Sequence, residues 1–227
     1  MARETLDRKI RKLLDDVLFM DSMVENATFK AVEALKKHDI ELARRLYFGD
    51  AEINAKRFEL ENDCMITIAT QQPIMAGDLR LLASILEVAG ELERMGDYAK
   101  GIARICIKSG DQPHIKPLID IPRMAEIAAD MLHRAVGAFV NMDAEVAKTI
   151  PEDDDEVDAL YQQVYRELIT LCMADPTIID RANMLMWAAH NLERMADRVT
   201  NICERTIYVV SGELRELEES DDESKDM

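Results

Sequence analysis

Apolar positions in this chain recur every three to four residues over residues 4–38, again from Asp39 to residue 72, and again over residues 77–108. That period lines one face of an α-helix with core-facing side chains. Asp39 has the short carboxylate that suits a helix N-cap, and Pro73 ends the second stretch. Three of the six prolines fall between Ser109 and Pro122, marking that segment as a connection. Asp120-Ile121-Pro122 then reads as a helix start. Helical periodicity returns over residues 122–141, resumes from Asp143, and continues behind Asp175-Pro176 to about residue 213. Helices of some thirty residues are about 45 Å long, and short connections fold three of them into an up-down-up bundle. The prediction is an all-α protein: a three-helix bundle over 1–110, a linker over 111–122, a second bundle over 123–217 and an acidic, disordered tail over 218–227.

The two bundles share an internal repeat. A shift of 104 residues lays Asp39-Ile40-Glu41-Leu42-Ala43 on Asp143-Ala144-Glu145-Val146-Ala147. The same shift lays Asp50-Ala51-Glu52-Ile53-Asn54 on Asp154-Asp155-Glu156-Val157-Asp158. At a shift of 100, Leu92-Glu93-Arg94-Met95-Gly96-Asp97 returns as Leu192-Glu193-Arg194-Met195-Ala196-Asp197. Gly49 and Pro151 lie near equivalent places in the second helix of each half, and both are expected to break or kink it.

Composition agrees with helices. Only eight glycines and 5% aromatics accompany abundant Ala, Leu, Glu, Met and Arg. The net charge of −17 leaves no basic surface for neutralising the phosphates of nucleic acid, so cations or basic partners are expected instead. Cys64, Cys106, Cys172 and Cys203 are scattered without a C-x-x-C pair, as buried thiols in a reducing compartment are. No stretch approaches the ~18 uncharged apolar residues of a membrane span, and the first residues lack a signal-peptide apolar core. A cytoplasmic location is expected.

The repeat also selects candidate chemistry. Glu93 and Asp97, like Glu193 and Asp197, lie four residues apart on one helix face, where like charges repel by about 0.2–0.5 kcal/mol. Asp50 and Asn54, like Asp154 and Asp158, hold the same spacing on the preceding helix. Antiparallel neighbours would bring four oxygen-bearing side chains together in each half, a donor set for Mg²⁺, Ca²⁺, Mn²⁺ or iron rather than structural zinc. Against that stands pairing with Arg94 and Arg194, which can reach Asp97 and Asp197 three residues on. His190 is a candidate extra ligand in the second half, against a surface or capping role. His38, His114 and His133 are isolated and assigned no function; Trp187 and the fourteen methionines suit core packing. Glu-x-x-His pairs, H-E-x-x-H, G-x-S-x-G and glycine-rich phosphate loops are absent from the sequence, which argues against the enzymes that use them.

These motifs carry a resemblance. Asp78-Leu79-Arg80, the stretch from Leu92 to Ala99, the stretch from Asn191 to Arg198, and the acidic motifs at Asp50 and Asp154 are similar to those of the PhoU family. The resemblance implies two symmetry-related three-helix bundles with multinuclear metal sites, with iron expected and Mn, Zn or Mg as alternatives. Carried over by motif, the ligands are Asp50, Asn54, Glu93 and Asp97, then Asp154, Asp158, Glu193 and Asp197. Asn54 departs from the family's Asp, leaving the first site one charge short. The resemblance further implies a non-enzymatic regulator of phosphate uptake and starvation signalling, with the ATPase subunit of a phosphate ABC transporter and a sensor histidine kinase as partners. A homodimer is compatible with the residues. Two rivals stay open: a metal-dependent phosphate-ester hydrolase built on the clustered carboxylates, and a purely structural helical interaction module.

Overall fold

The computed structural model describes residues 2–213 and 217; the acidic tail expected over 218–227 lies outside them. The first half comprises α1 (Ala2–Lys37), α2 (Ile40–Thr70) and α3 (Ala76–Ser109). The second comprises α4 (Asp120–Asn141), α5 (Ala144–Thr149), α6 (Asp154–Ala174) and α7 (Ile179–Ser211). No strand forms among the described residues. Each half is a three-helix bundle, with α5 and α6 together serving as the middle helix of the second.

The first turn of each half is built alike. His38 and Met142, 104 residues apart, both adopt left-handed backbone with φ of 56° and 54°. The following amides, of Asp39 and Asp143, each donate to a carbonyl five residues back, Ala34 and Ala138, at 2.9 Å. This satisfies the orphan carbonyls of a helix end. The Asp39 carboxylate then accepts from the Leu42 amide, and Asp143 accepts from those of Glu145 and Val146, capping the next helix.

Two expected helix starts differ in detail. Asp175 caps a short 3-10 turn, Pro176–Ile178, and α7 begins only at Ile179. Asp120 is the first residue of α4 rather than its cap. The expected kinks also diverge. Gly49 sits inside an unbroken α2, because a glycine lowers helix propensity without removing a hydrogen bond. Pro151 forms a 3-10 turn, Ile150–Asp153, that ends α5 and starts α6, because proline has no N–H for the helix ladder.

The halves share one continuous apolar core running from Leu6 to Val209. Helix α7 packs against α3 as extensively as α1 and α2 do, and α1 also lies along α4. Four helices therefore form the seam, and α2 and α6 lie outside it. The His114 ring in the connecting segment stacks on His38 at 3.9 Å and donates to the Leu35 carbonyl at 2.9 Å, fastening the linker to the end of α1.

Close approach within a half is set by a residue pair. A Cβ on Gly96 would stand 3.1 Å from Ile53 Cδ1. At the matching places the second half has Ala196 and Val157, both fully buried: the methyl gained on α7 is offset by the methylene lost on α6. Gly96→Ala should accordingly be better tolerated, by about 1 kcal/mol, in an Ile53→Val background than in the wild type, as a denaturant double-mutant cycle would read. Burial, then the neighbouring His38, lower the His114 pKa. Its neutral form is the native one, so its contribution is complete above the ordinary value of 6.5 and fades as pH falls below it. The stability advantage of wild type over His114→Phe, about 1 kcal/mol at pH 7.5, should shrink towards pH 5.

Candidate metal centre

In the second half, the turn at Pro151 places Asp154 in the first turn of α6, where the helix dipole favours negative charge. Asp158 follows one turn on, and Glu193 and Asp197 project from α7. Ligand oxygens of Asp154, Asp158 and Asp197 lie within 4.8 Å of one another. Asp154 Oδ1 and Glu193 Oε2 are buried with no hydrogen-bond partner. Burial, then the charges of Asp158 and Asp197, push the Asp154 carboxyl up to about 7. Burial and the Asp197 charge push Glu193 up to about 7 as well, and Asp158 is raised for the same reasons. Compensation is slight: Arg194 Nη1 stands 3.4 Å from Asp197 Oδ2, and His190 Nδ1 lies 3.1 Å from Glu193 Oε2 without hydrogen-bond geometry. Three convergent oxygens, two orphaned atoms and no thiol fit a hard divalent cation.

The first half gathers the matching residues but closes them on themselves. Asp50 is almost fully buried, and its Oδ2 accepts from Lys100 Nζ at 2.7 Å and from Asn54 Nδ2 at 3.0 Å. Lys100 also reaches Asp97 Oδ1 at 3.3 Å. Glu93 turns to Arg57 Nη1 at 3.3 Å, and Arg57 also holds Glu61. Asp50, Glu93 and Asp97 form no convergent trio. The equivalents of Lys100 and Arg57 in the second half are Thr200 and Tyr161, neither of which carries a positive charge. The first patch therefore does not fit a metal as it stands. The expected arginine pairing holds at Arg194, whereas Arg94 turns back to Glu91.

The halves thus repeat an architecture and not a site. A PhoU domain matches residues 17–106 and a second matches residues 121–206. The chain belongs to the PhoU family. The phosphate-specific transport system accessory protein PhoU homolog of Aquifex aeolicus is 39% identical over 92% of this chain and 94% of its own length. The accessory protein PhoU of Escherichia coli is 33% identical over 90% and 85%. Among solved structures, PhoU from Pseudomonas aeruginosa superposes with a TM-score of 0.85 at 32% identity, covering 91% of this chain and 99% of its own. The phosphate transport system regulatory protein PhoU from Streptococcus pneumoniae gives the same TM-score at 29% identity.

Within this PhoU fold, Lys100 and Arg57 are the residues that sequence reasoning missed. Comparing each motif with its repeat at residues 161 and 200 would have exposed them. Replacing Asp158 by Asn should remove about 1 kcal/mol of repulsion, raising the Tm of chelator-treated protein by about 2–4 °C while weakening divalent-cation binding. Lys100→Thr should act oppositely, costing about 3 kcal/mol by leaving Asp50 without its cation. Thermal melts of both variants with and without EDTA check the pair.

Proposed function

We propose that this PhoU chain is a non-enzymatic regulator of phosphate uptake and phosphate-starvation signalling. It works in the cytoplasm as an adaptor between the ATPase subunit of a phosphate ABC transporter and a membrane sensor histidine kinase. The observation that carries this reading is the PhoU domain matched in both halves, together with relatives named as accessory and regulatory proteins of phosphate transport. None of the described helices is long and apolar enough to cross a membrane, so contact with a membrane complex would run through such partners.

Asp154, Asp158, Glu193 and Asp197 would hold the metal, iron in the first instance and Mn, Zn or Mg otherwise. A bound cation supplies positive charge that offsets the repulsion among these carboxylates. The residues themselves tie the start of α6 to the middle of α7, so their state fixes the outer face of the second half. Binding confined to the folded form also stabilises it, by about 2.7 kcal/mol at a hundredfold excess over Kd. In the first half Lys100 supplies a fixed charge in the same place, and that face is set permanently.

Metal analysis and partner binding test the reading together. Of the two acidic patches, only the one between α6 and α7 should hold metal in protein purified without chelator, and that share of the metal should be lost in Asp158→Asn and kept in Asp97→Asn. The purified ATPase subunit and the kinase's cytoplasmic region should bind the metal-loaded chain at micromolar concentration. Binding of neither partner would overturn the adaptor role. Hydrolysis of phosphate esters that disappears in Glu193→Gln would establish the hydrolase in its place.

A further inference from the structure

A second convergent cluster lies at the seam, away from both acidic motifs. Asp21 and Glu25 stand one turn apart on α1, and His133 faces them from α4. One potential ligand atom from each lies within 4.8 Å of those of the other two. His133 Nδ1 is 3.1 Å from Glu25 Oε1. Asp21 is only 3% exposed, and its Oδ1 has no hydrogen-bond partner. A buried carboxylate oxygen without a partner costs about 1–3 kcal/mol or more, so its retention calls for a function.

Packing alone does not demand the trio. Helices α1 and α4 end at equivalent turns 104 residues apart, and in that register the counterparts of Asp21, Glu25 and His133 are Ala125, Ala129 and Phe29. At the repeat-related place the chain is wholly apolar. Burial, then the Glu25 charge, push the Asp21 carboxyl up to about 7; a side-chain hydrogen bond with Glu25 adds to the rise and His133 acts the other way. The pair of carboxylates lacks a fixed cation of the kind Lys100 provides in the first patch.

We propose that Asp21, Glu25 and His133 form a divalent transition-metal site that clamps the first half of the chain to the second. Two ligands on one ion at bond lengths of about 2.1 Å lie roughly 3.4 Å apart in tetrahedral geometry, so small side-chain rotations close the cluster. One imidazole with two carboxylates selects Zn²⁺, Co²⁺, Mn²⁺ or Fe²⁺ over Mg²⁺ or Ca²⁺. Asp21 forms the floor, Glu25 the wall, and the exposed His133 the gate through which the ion enters. Unlike the patch on α6 and α7, this site joins helices of different halves, so occupancy stiffens the seam.

The test uses the full chain carrying Asp158→Asn and Asp197→Asn, which disables the patch of the second half. Zn²⁺ titrated calorimetrically should bind at one equivalent, shift the His133 imidazole resonances, and raise Tm. His133→Ala, at a largely exposed position, should weaken binding at least about tenfold, and Glu25→Gln should do the same. No binding, or binding unaltered by His133→Ala, would overturn the site. So would an Asp21→Asn variant that melts higher at pH 8 with unchanged Zn²⁺ affinity, which would mark the two carboxyls as a proton-sharing pair. None of these outcomes bears on partner binding by the parent chain, so the regulator reading stands or falls separately.

Discussion

An aspartate buried between two helices is tolerable only when positive charge or a proton stands against it. Both halves place one at the same position in the repeat, Asp50 buried and Asp154 half-buried with one oxygen fully enclosed, and the remaining differences follow from how each is answered. Asp50 meets Lys100 and Asn54, a complete set of partners drawn from the chain itself. Asp154 meets three more carboxylates, and keeps an orphaned oxygen and a raised pKa. One half is self-sufficient; the other leaves its carboxylates without a matching positive charge.

The same logic connects the local backbone to the chemistry. Because Pro151 interrupts its helix with a 3-10 turn, the Asp154 carboxylate sits in the first turn of α6, where the amides of a helix start favour negative charge. Asp50 lies in the middle of α2, where no such amides are free, and its stability rests on Lys100. Gly96 against Ile53 and Ala196 beside Val157 show that the underlying packing is conserved in volume between the halves while the charges diverge.

Most of the fold was legible in the sequence because its signals are local: helical period, the Asp39 cap, the restart at Asp143, and Pro73. Gly49 misled because a glycine weakens a helix without forbidding it, and tertiary packing decides the outcome. The candidate ligands were legible as types and spacings, since four-residue spacing dictates a shared face. Their neutralisation was not. Lys100 reaches Asp50 across fifty residues, and no periodicity announces such a pairing. His133 looked isolated for a similar reason: its partners sit on α1, more than a hundred residues away, and only the packing of α1 along α4 reveals them.

The continuous core changes what a domain means in this molecule. Residues 17–106 and 121–206 each carry a full PhoU domain, yet α3 and α7 press together as tightly as helices within a half. Severing the connection between them would leave two bundles, each with a bared apolar wall. The unit that repeats in the sequence is therefore smaller than the unit that closes a core: the halves are two as sequence and one as packing, and neither can bury its apolar wall without the other.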